Sequence, residues 1–333
     1  MTNKIIDAVE KVIENYYGKD KIQNITYLSS GRINAVFRVD LKNCEKDRIA
    51  VRLRYFNDPE FGQRFGTEIM CDEILQGCIN YPKLLLCDSS RKLIPCDYSI
   101  LDFIDGRSFS TEDGPEKFEQ LGQIAKKIHS AKVPEKYKSE FLRDIDGYYK
   151  KRFEGIIKNS SRYDKKVYEL VKDSMKYYYP NIYKPEEVSL THHDFHEKNF
   201  IVNNDDITVL DWESARVEAT EVEFIRAKYY LFNRTTPENV QSFFKGYGKI
   251  HFTDNFFMQE IMWLARISNF ERTFPPSKSQ ENYWCSADYL NQNLEDLIKK
   301  YKGRGYYTTL SEIFNIQEVK KNKDKNYYDD ECR

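Results

Sequence analysis

The sequence has no long apolar run and no surplus of charge of either sign. Its 333 residues include 52 lysines and arginines against 53 aspartates and glutamates, so the formal net charge is -1. No apolar run approaches the ~20 residues needed to span a bilayer. A nearly neutral chain also lacks an overall field that would recruit nucleic acid or an anionic membrane. We therefore expect neither a nucleic-acid partner nor a membrane partner.

Cysteine supplies no structural framework either. The seven cysteines are odd in number and scattered, and no two of them form a Cys-x-x-Cys pair. This spacing argues against a disulfide framework or a zinc site. Charges interrupt the first residues, which lack the apolar core of a signal peptide. Together these absences predict a cytoplasmic protein.

What the sequence does contain is one informative stretch, residues 190–211. It places Asp194, Asn199 and Asp211 in a fixed order, five and then twelve residues apart. Apolar, β-branched runs flank the turn-forming residues 203–206, which predicts a hairpin that folds Asp211 back toward Asn199. Any one of the three residues alone would more often be an ordinary turn or strand-end residue. Together, in this order around a hairpin, they favour a functional site.

Three short oxygen-bearing side chains in this order are what a kinase needs. Asp194 would orient a substrate hydroxyl and accept its proton, while Asn199 and Asp211 would hold the Mg²⁺ ions that bridge the phosphates of ATP. Arg52, on a predicted strand, is suited to bind phosphates bidentately. An arginine on an exposed strand would be the plainer interpretation if the downstream residues were absent.

This segment resembles the catalytic loop of the aminoglycoside phosphotransferase and choline kinase-like family. The family pattern is His-x-Asp-x-x-x-x-Asn, followed by a hydrophobic residue, Asp, an aromatic residue and Glu. It is matched position by position by His192, Asp194, Asn199, Asp211 and Glu213. The resemblance extends over roughly residues 25–230 and implies an enzyme that phosphorylates a small molecule.

The fold implied by the resemblance is α+β, a two-lobed protein kinase-like fold. An antiparallel sheet plus a helix would form the N-terminal nucleotide-binding lobe at residues 1–101. A mostly helical catalytic and acceptor-binding lobe would follow at 102–319, and the polar residues 320–333 predict a disordered tail. ATP or GTP would bind between the lobes. The acceptor would be a hydroxyl group of an aminoglycoside-like antibiotic, an amino alcohol or a sugar.

A turn between two predicted strands is the candidate phosphate loop. Ser29, Ser30 and Gly31 could lay backbone N–H groups over phosphates, although an ordinary hairpin turn is the plainer alternative. The family carries a Gly-x-x-Asn sequence here, which Gly31 and Asn34 match. The resemblance therefore assigns this turn to nucleotide binding.

The resemblance assigns three further elements of the first lobe. Arg52 stands where protein kinases place a lysine, and it needs an acidic partner on the following helix. Glu68 has the family spacing and is preferred to Glu73. Backbone groups around Leu101 and Phe103 would pair with adenine at the hinge between the lobes.

The chain departs from the family after Glu213. The usual Gly-Asp-Pro is missing, and Glu223 stands about where an aspartate supports the catalytic loop. The segment is acidic through Glu213, Glu218, Glu221 and Glu223. It could receive a cationic acceptor, and a solvated helix start is an equally good alternative.

A second hypothesis for the whole chain is a catalytically weak, kinase-like nucleotide-binding or spore-coat-type protein. The departure after Glu213 leaves room for it. The intact set of Asp194, Asn199 and Asp211 argues against it, because a protein without phosphotransfer activity has no need of all three.

Overall fold

The computed structural model describes residues 3–30, 34–54, 65–142, 165–178, 188–273 and 287–301, with scattered positions between 147 and 158 and residues 313 and 314. The chain divides into two compact units. The first unit joins Met1–Phe109 to Lys198–Ala215, and the second joins Ser110–Glu197 to Arg216–Arg333. The lobe boundary at residue 101 stays a prediction, and the predicted tail at 320–333 lies outside the described residues.

Strands dominate the described part of the first unit, and helices dominate that of the second. The strands are β1 (Ile22–Ser30), β2 (Asn34–Leu41), β3 (Arg48–Arg54), β4 (Leu84–Asp88), β5 (Asp97–Asp102), β6 (Arg107–Ser108), β7 (Ser189–Thr191), β8 (Phe200–Asn203), β9 (Asp206–Val209) and β10 (Arg216–Glu218). The α-helices are α1 (Asn3–Tyr17), α2 (Phe65–Leu75), α3 (Pro115–Ser130), α4 (Glu135–Leu142), α5 (Lys165–Tyr178), α6 (Glu223–Tyr230), α7 (Pro237–Tyr247), α8 (Asp254–Thr273) and α9 (Ala287–Tyr301). Among the described helices, none has both the length and the apolar character needed to cross a membrane.

The first unit is built on an antiparallel sheet with the strand order β1-β2-β3-β5-β4. Buried and half-buried residues alternate along β2, because successive side chains of a strand point to opposite faces. The buried positions are Ala35, Phe37, Val39 and Leu41. They share one core with the apolar side of α1, at Val9, Val12 and Ile13. The sheet and its helix are those that the sequence predicts for the N-terminal lobe.

A second sheet of the first unit contains the hairpin that the sequence predicts. Strand β8 pairs with β9, with Phe200 opposite Val209. Asn204 lies in the turn with a φ of 54°, in the left-handed region that asparagine tolerates better than most residues. The N–H of Leu210 donates to the carbonyl oxygen of Asn199 at 2.8 Å. This bond extends the pairing beyond the strands and joins the two ends of the hairpin.

Aromatic side chains fill the core of the second unit. Phe224 of α6 is fully buried, and its ring centroid lies 5.1 to 6.0 Å from those of Tyr247, Phe243 and Phe252. Each of these pairs has the edge-to-face geometry that contributes about 0.5–1.5 kcal/mol beyond the area it buries. This packing fixes α6, whose first residue is Glu223.

Helices α3 and α7 pack backbone against backbone at two glycines. A Cβ atom on Gly122 would lie 2.0 Å from the carbonyl oxygen of Phe243, and one on Gly246 would lie 2.0 Å from that of Glu119. Both obstructing atoms belong to helix backbones, so no side-chain rotation can make room. The close approach of α3 and α7 therefore requires glycine at both positions.

We predict that Gly122→Ala lowers the free energy of unfolding by roughly 1–3 kcal/mol, since α3 and α7 must move apart to admit the methyl group. Urea unfolding followed by circular dichroism measures the change. The matched control is Gly66→Ala on α2, where an added Cβ would meet nothing within 4 Å. That control is expected to be neutral or stabilising, and equal stability of the two variants would contradict the close packing.

Candidate active site

A buried ion pair occupies the centre of the first unit's site. Arg52 on β3 donates from Nη2 to both carboxylate oxygens of Glu68 on α2, at 2.6 Å each, and from Nε to Ser99 Oγ on β5 at 3.1 Å. The side chains of Arg52 and Glu68 are only 10% and 6% exposed. The structure thus pairs Arg52 with the partner preferred from the sequence, while Glu73 is exposed on the same helix. The role of the pair in nucleotide binding stays a prediction.

Arg52 also lies close to Asp211, one of the two candidate metal ligands. Its Nη1 is 3.6 Å from Asp211 Oδ1. Burial would lower the pKa of Arg52, but the carboxylates of Glu68, Asp211 and Glu213 outweigh burial and raise it, as nearby opposite charges do. Arg52 is therefore a permanent cation whose position is fixed by its neighbours.

The β8–β9 hairpin brings both candidate metal ligands to its open end. Asn199 directly precedes β8 and Asp211 follows two positions after β9, beyond the Leu210–Asn199 hydrogen bond. Asp211 has φ 60° and ψ 61°, a left-handed conformation that turns the chain sharply. The buried Trp212 anchors this turn, because its indole N–H donates to the carbonyl oxygen of Val209 at 3.1 Å.

Glu213, the last residue of the family pattern, links this turn to the five-stranded sheet. Its Oε2 accepts a hydrogen bond from Asn34 Nδ2 at 3.3 Å and lies 4.0 Å from Arg54 Nη1. Asn34 begins β2 and Arg54 ends β3, and the two residues are paired in register. A small recess is lined by these three residues together with Arg52 and Glu68.

The predicted phosphate turn is described only in part. Ser29 and Ser30 end β1, where they pair with Val36 and Ala35 of β2. Gly31 lies outside the described residues. The contacts of this turn with phosphates therefore stay a prediction.

The predicted adenine-binding residues lie at the end of β5. Leu101 is paired with Ala50 of β3 and with Leu84 of β4. Phe103 follows the last residue of the strand, and its ring centroid lies 5.8 Å from Arg38 Cζ. These are contacts within the protein, and adenine binding stays a prediction.

In the second unit, Asp194 lies on a loop that follows β7 and is supported by a buried carboxylate. The backbone N–H groups of His192 and His193 both donate to Glu223, the latter to Oε1 at 3.0 Å. Burial would raise the pKa of Glu223, but the hydrogen bond from His129 holds it below its usual value. Glu223 thus performs the supporting role expected at its position.

His193 precedes Asp194 in a conformation that needs support. Its φ is 62°, which is unfavourable for a residue with a side chain. Its Nε2 lies 2.8 Å from Oε2 of the fully buried Glu218. Burial lowers the pKa of His193 despite that carboxylate, so the ring is mainly neutral at pH 7 and can donate its Nε2–H to Glu218.

The Asp194 carboxylate lies between two side chains that sequence analysis did not single out. Arg226 Nε on α6 and His196 Nε2 lie 3.1 Å and 3.0 Å from its Oδ1. Burial would raise the pKa of Asp194, but these two neighbours outweigh it and hold the pKa well below its usual value. A sequence signal for Arg226 did exist, because it stands three residues after Glu223, on the same face of the helix.

The acidic segment after Asp211 is used inside the protein. Glu213 and Glu218 make the contacts described above, and Glu221 accepts hydrogen bonds from the backbone N and Oγ1 of Thr253, at 2.6 and 2.5 Å. Glu218, Glu221 and Glu223 are all buried. A solvated helix start is therefore wrong for these three glutamates, while the prediction that the segment receives a cationic acceptor stays a prediction for Glu213, which lines the recess.

Several solved phosphotransferase and kinase structures have the same fold as this chain. The spectinomycin phosphotransferase APH(9)-Ia, solved with ADP and spectinomycin, is 15% identical with a TM-score of 0.55, over 87% of this chain and 93% of that chain. The aminoglycoside 2'-phosphotransferase-IIIa, solved as a GDP complex, is 12% identical with a TM-score of 0.60, over 90% and 100%. The Plasmodium vivax ethanolamine kinase is 14% identical with a TM-score of 0.57, over 90% of each chain. At such identities the likeness shows the fold, and the predicted α+β kinase-like fold class is confirmed.

Sequence comparison identifies the family. No curated protein matches the chain. A model described as the phosphotransferase enzyme family matches residues 24–260, which is more than half of the 333 residues. The chain therefore belongs to the phosphotransferase enzyme family and is an enzyme of the small-molecule kinase type that its sequence predicted.

Proposed function

We propose that this enzyme transfers the γ-phosphoryl group of ATP, or of GTP, to a hydroxyl group of a small molecule. The observation that carries the proposal is the arrangement of Arg52, Glu68 and Asp211. A buried guanidinium is held by a carboxylate of α2 and lies 3.6 Å from the carboxylate at the end of the hairpin. A fixed cation beside a metal-binding carboxylate is the combination that phosphoryl transfer requires.

Asn199 and Asp211 would hold Mg²⁺. Their donors fit that ion, because Mg²⁺ prefers oxygen and is usually bound by one or two carboxylates together with substrate phosphates. Among the described residues no group of three or more His, Cys, Asp or Glu gathers around one point, so the nucleotide and water would supply the remaining ligands. When bound, the ion neutralises charge on the transferring phosphates.

Asp194 would accept a hydrogen bond from the acceptor hydroxyl and orient its oxygen for attack. The charges of Arg226 and His196, which outweigh the effect of burial, keep the pKa of Asp194 low, so it is ionised at physiological pH. A carboxylate of low pKa orients a hydroxyl well but is a weak base. This balance suits a loose transition state, in which the hydroxyl proton leaves late.

The acceptor belongs to one of three classes in this proposal: an aminoglycoside-like antibiotic, an amino alcohol or a sugar. Spectinomycin and ethanolamine, in the names of proteins with this fold, support the first two. Glu218, Glu221 and Glu223 are buried and offer no carboxylate to a cationic acceptor, so the sugar class stays equally open.

The first test is whether the protein turns over a nucleotide at all. Mg²⁺ with ATP or GTP is expected to raise the melting temperature of the protein, and slow hydrolysis of the nucleotide is expected. A screen that measures nucleotide consumption in the presence of aminoglycosides, amino alcohols and sugars is expected to find the acceptor. Stabilisation without any turnover would favour the catalytically weak binding protein instead.

The role of Asp194 predicts a selective loss of turnover in Asp194→Asn. The amide keeps the size of the side chain but loses its charge, so kcat is expected to fall roughly 10²–10⁴-fold while the affinity for ATP changes little. Steady-state kinetics of nucleotide consumption measure both. The matched control is Asp205→Asn in the exposed turn of the β8–β9 hairpin, which should behave as the wild type. Retained turnover in Asp194→Asn would exclude the proposed role.

The Arg52–Glu68 pair predicts a different defect in Glu68→Gln. Without the Glu68 charge, Arg52 is drawn more strongly to Asp211, so the apparent affinities for nucleotide and for Mg²⁺ should each fall about tenfold, equivalent to 1.4 kcal/mol. Titration calorimetry with ATP at several Mg²⁺ concentrations measures this change. Glu73→Gln, on the exposed side of the same helix, is the matched control. Equal affinities in the two variants would contradict the assignment.

A further inference from the structure

Helix α6 holds the loop that carries Asp194 through two residues of opposite charge. Glu223 accepts the backbone N–H groups of His192 and His193. Arg226, three positions later, donates from Nη1 to the carbonyl oxygen of His193 at 3.1 Å, while its Nε lies 3.1 Å from Asp194 Oδ1. Residues three apart lie on the same face of a helix. One face of α6 thus binds two backbone N–H groups and one backbone carbonyl oxygen of this loop.

The Arg226 side chain is itself held in place. Its Cζ lies 5.7 Å from the ring centroid of Tyr230, four residues later on α6. Tyr230 is buried, and its ring packs edge-to-face against Trp263 of α8 at 5.6 Å. The Arg226 side chain is 18% exposed, and limited access to water strengthens an ion pair. Arg226 therefore has little freedom to leave Asp194.

His196 completes the surroundings of the Asp194 carboxylate. Its Nε2 lies 3.0 Å from Oδ1, and its ring packs edge-to-face against Tyr230 at 6.3 Å. The same tyrosine thus contacts both side chains that flank Asp194. Arg226 also reaches the backbone immediately before Asp194, because its Nη1 donates to His193 while its Nε forms an ion pair with the carboxylate.

We propose that Arg226 is a positioning residue for phosphoryl transfer, which acts by fixing the direction of the Asp194 carboxylate relative to the loop backbone. The inference rests on the role proposed above for Asp194. A guanidinium can bind two acceptors in fixed directions, whereas a lysine ammonium is a single point charge. Arg226 uses this property to link the carboxylate to the carbonyl group of His193. Misplacement of a reacting group by about 1 Å can cost 10²-fold in rate, so the loss of this link is felt in turnover.

The test compares Arg226→Gln and Arg226→Lys in the full chain, with kcat and the KM for nucleotide as separate readouts. Arg226→Gln is expected to lower kcat roughly 10–100-fold and to leave the KM for nucleotide within about threefold, because Arg226 acts through Asp194. Arg226→Lys should recover part of kcat, since it restores the positive charge but not the fixed directions of the guanidinium. If Arg226→Gln fails to fold, a reduced kcat at unchanged KM in Arg226→Lys supports the inference, and a wild-type kcat there overturns it.

The matched control is a variant of another arginine in the second unit, which also binds a carboxylate near Asp194. Arg234 Nη1 donates to Glu197 Oε1 at 2.6 Å, and Arg234→Gln is expected to lower stability without lowering kcat. A loss of kcat as large in Arg234→Gln as in Arg226→Gln would mean that any weakening of the loop has the same effect, and it would overturn the inference.

A double variant separates this inference from the proposed function. In the Asp194→Asn background, Arg226→Gln should cause little further loss of kcat, whereas independent, multiplying losses would overturn the inference. If the wild type is active, Asp194→Asn is inactive and Arg226→Gln is fully active, only the role of Arg226 is excluded. If Asp194→Asn retains full activity, the proposed function of Asp194 fails instead.

Discussion

The site of the first unit depends on the cost of burying a guanidinium. An isolated charge as inaccessible as that of Arg52 would cost on the order of several kcal/mol, and the bidentate bond to Glu68 offsets this cost. The pair forms because α2 brings Glu68 within hydrogen-bonding distance of Arg52 on β3. The remaining attraction extends to Asp211 at 3.6 Å. One electrostatic balance therefore fixes the cation proposed to bind phosphates and the carboxylate proposed to bind the metal ion.

In the second unit the charge that must be compensated is negative. The charge here is the partly buried carboxylate of Asp194, and the cation that compensates it comes from α6 rather than from the loop itself. The aromatic core around Phe224 holds that helix, so packing far from the reacting groups decides where the compensating charge lies. Glu223 on the same helix supports the loop backbone. The position of a single short helix therefore controls both the shape and the charge of the loop that carries Asp194.

In both units, the sequence predicts those features of the candidate site residues that depend on neighbours along the chain. The hairpin between Asn199 and Asp211 follows from two apolar runs and a turn, and Glu68 follows from spacing along the chain. Helical spacing places Arg226 on the same face as Glu223, but its contact with Asp194 depends on how α6 packs, which no local pattern describes. Burial also decides which of the glutamates after Asp211 can meet a ligand. Four glutamates in eleven residues suggest a ligand-binding surface, and only the tertiary structure shows that three of them are buried.

Backbone strain near Asp194 indicates why the segment after Asp211 contains buried carboxylates. His193 and Asp211 both adopt a φ near 60° (62° and 60°), a conformation that costs roughly 1–2 kcal/mol in a residue with a Cβ. Strained residues persist only where their surroundings over-determine them. Here Glu218 and Glu223 bind the ring and the N–H of His193, and the anchored Trp212 holds the turn at Asp211. Glu218 and Glu223 therefore maintain the direction of Asp194, whereas Trp212 maintains that of Asp211. The acidity of the segment thus serves the geometry of the loop before Asp194.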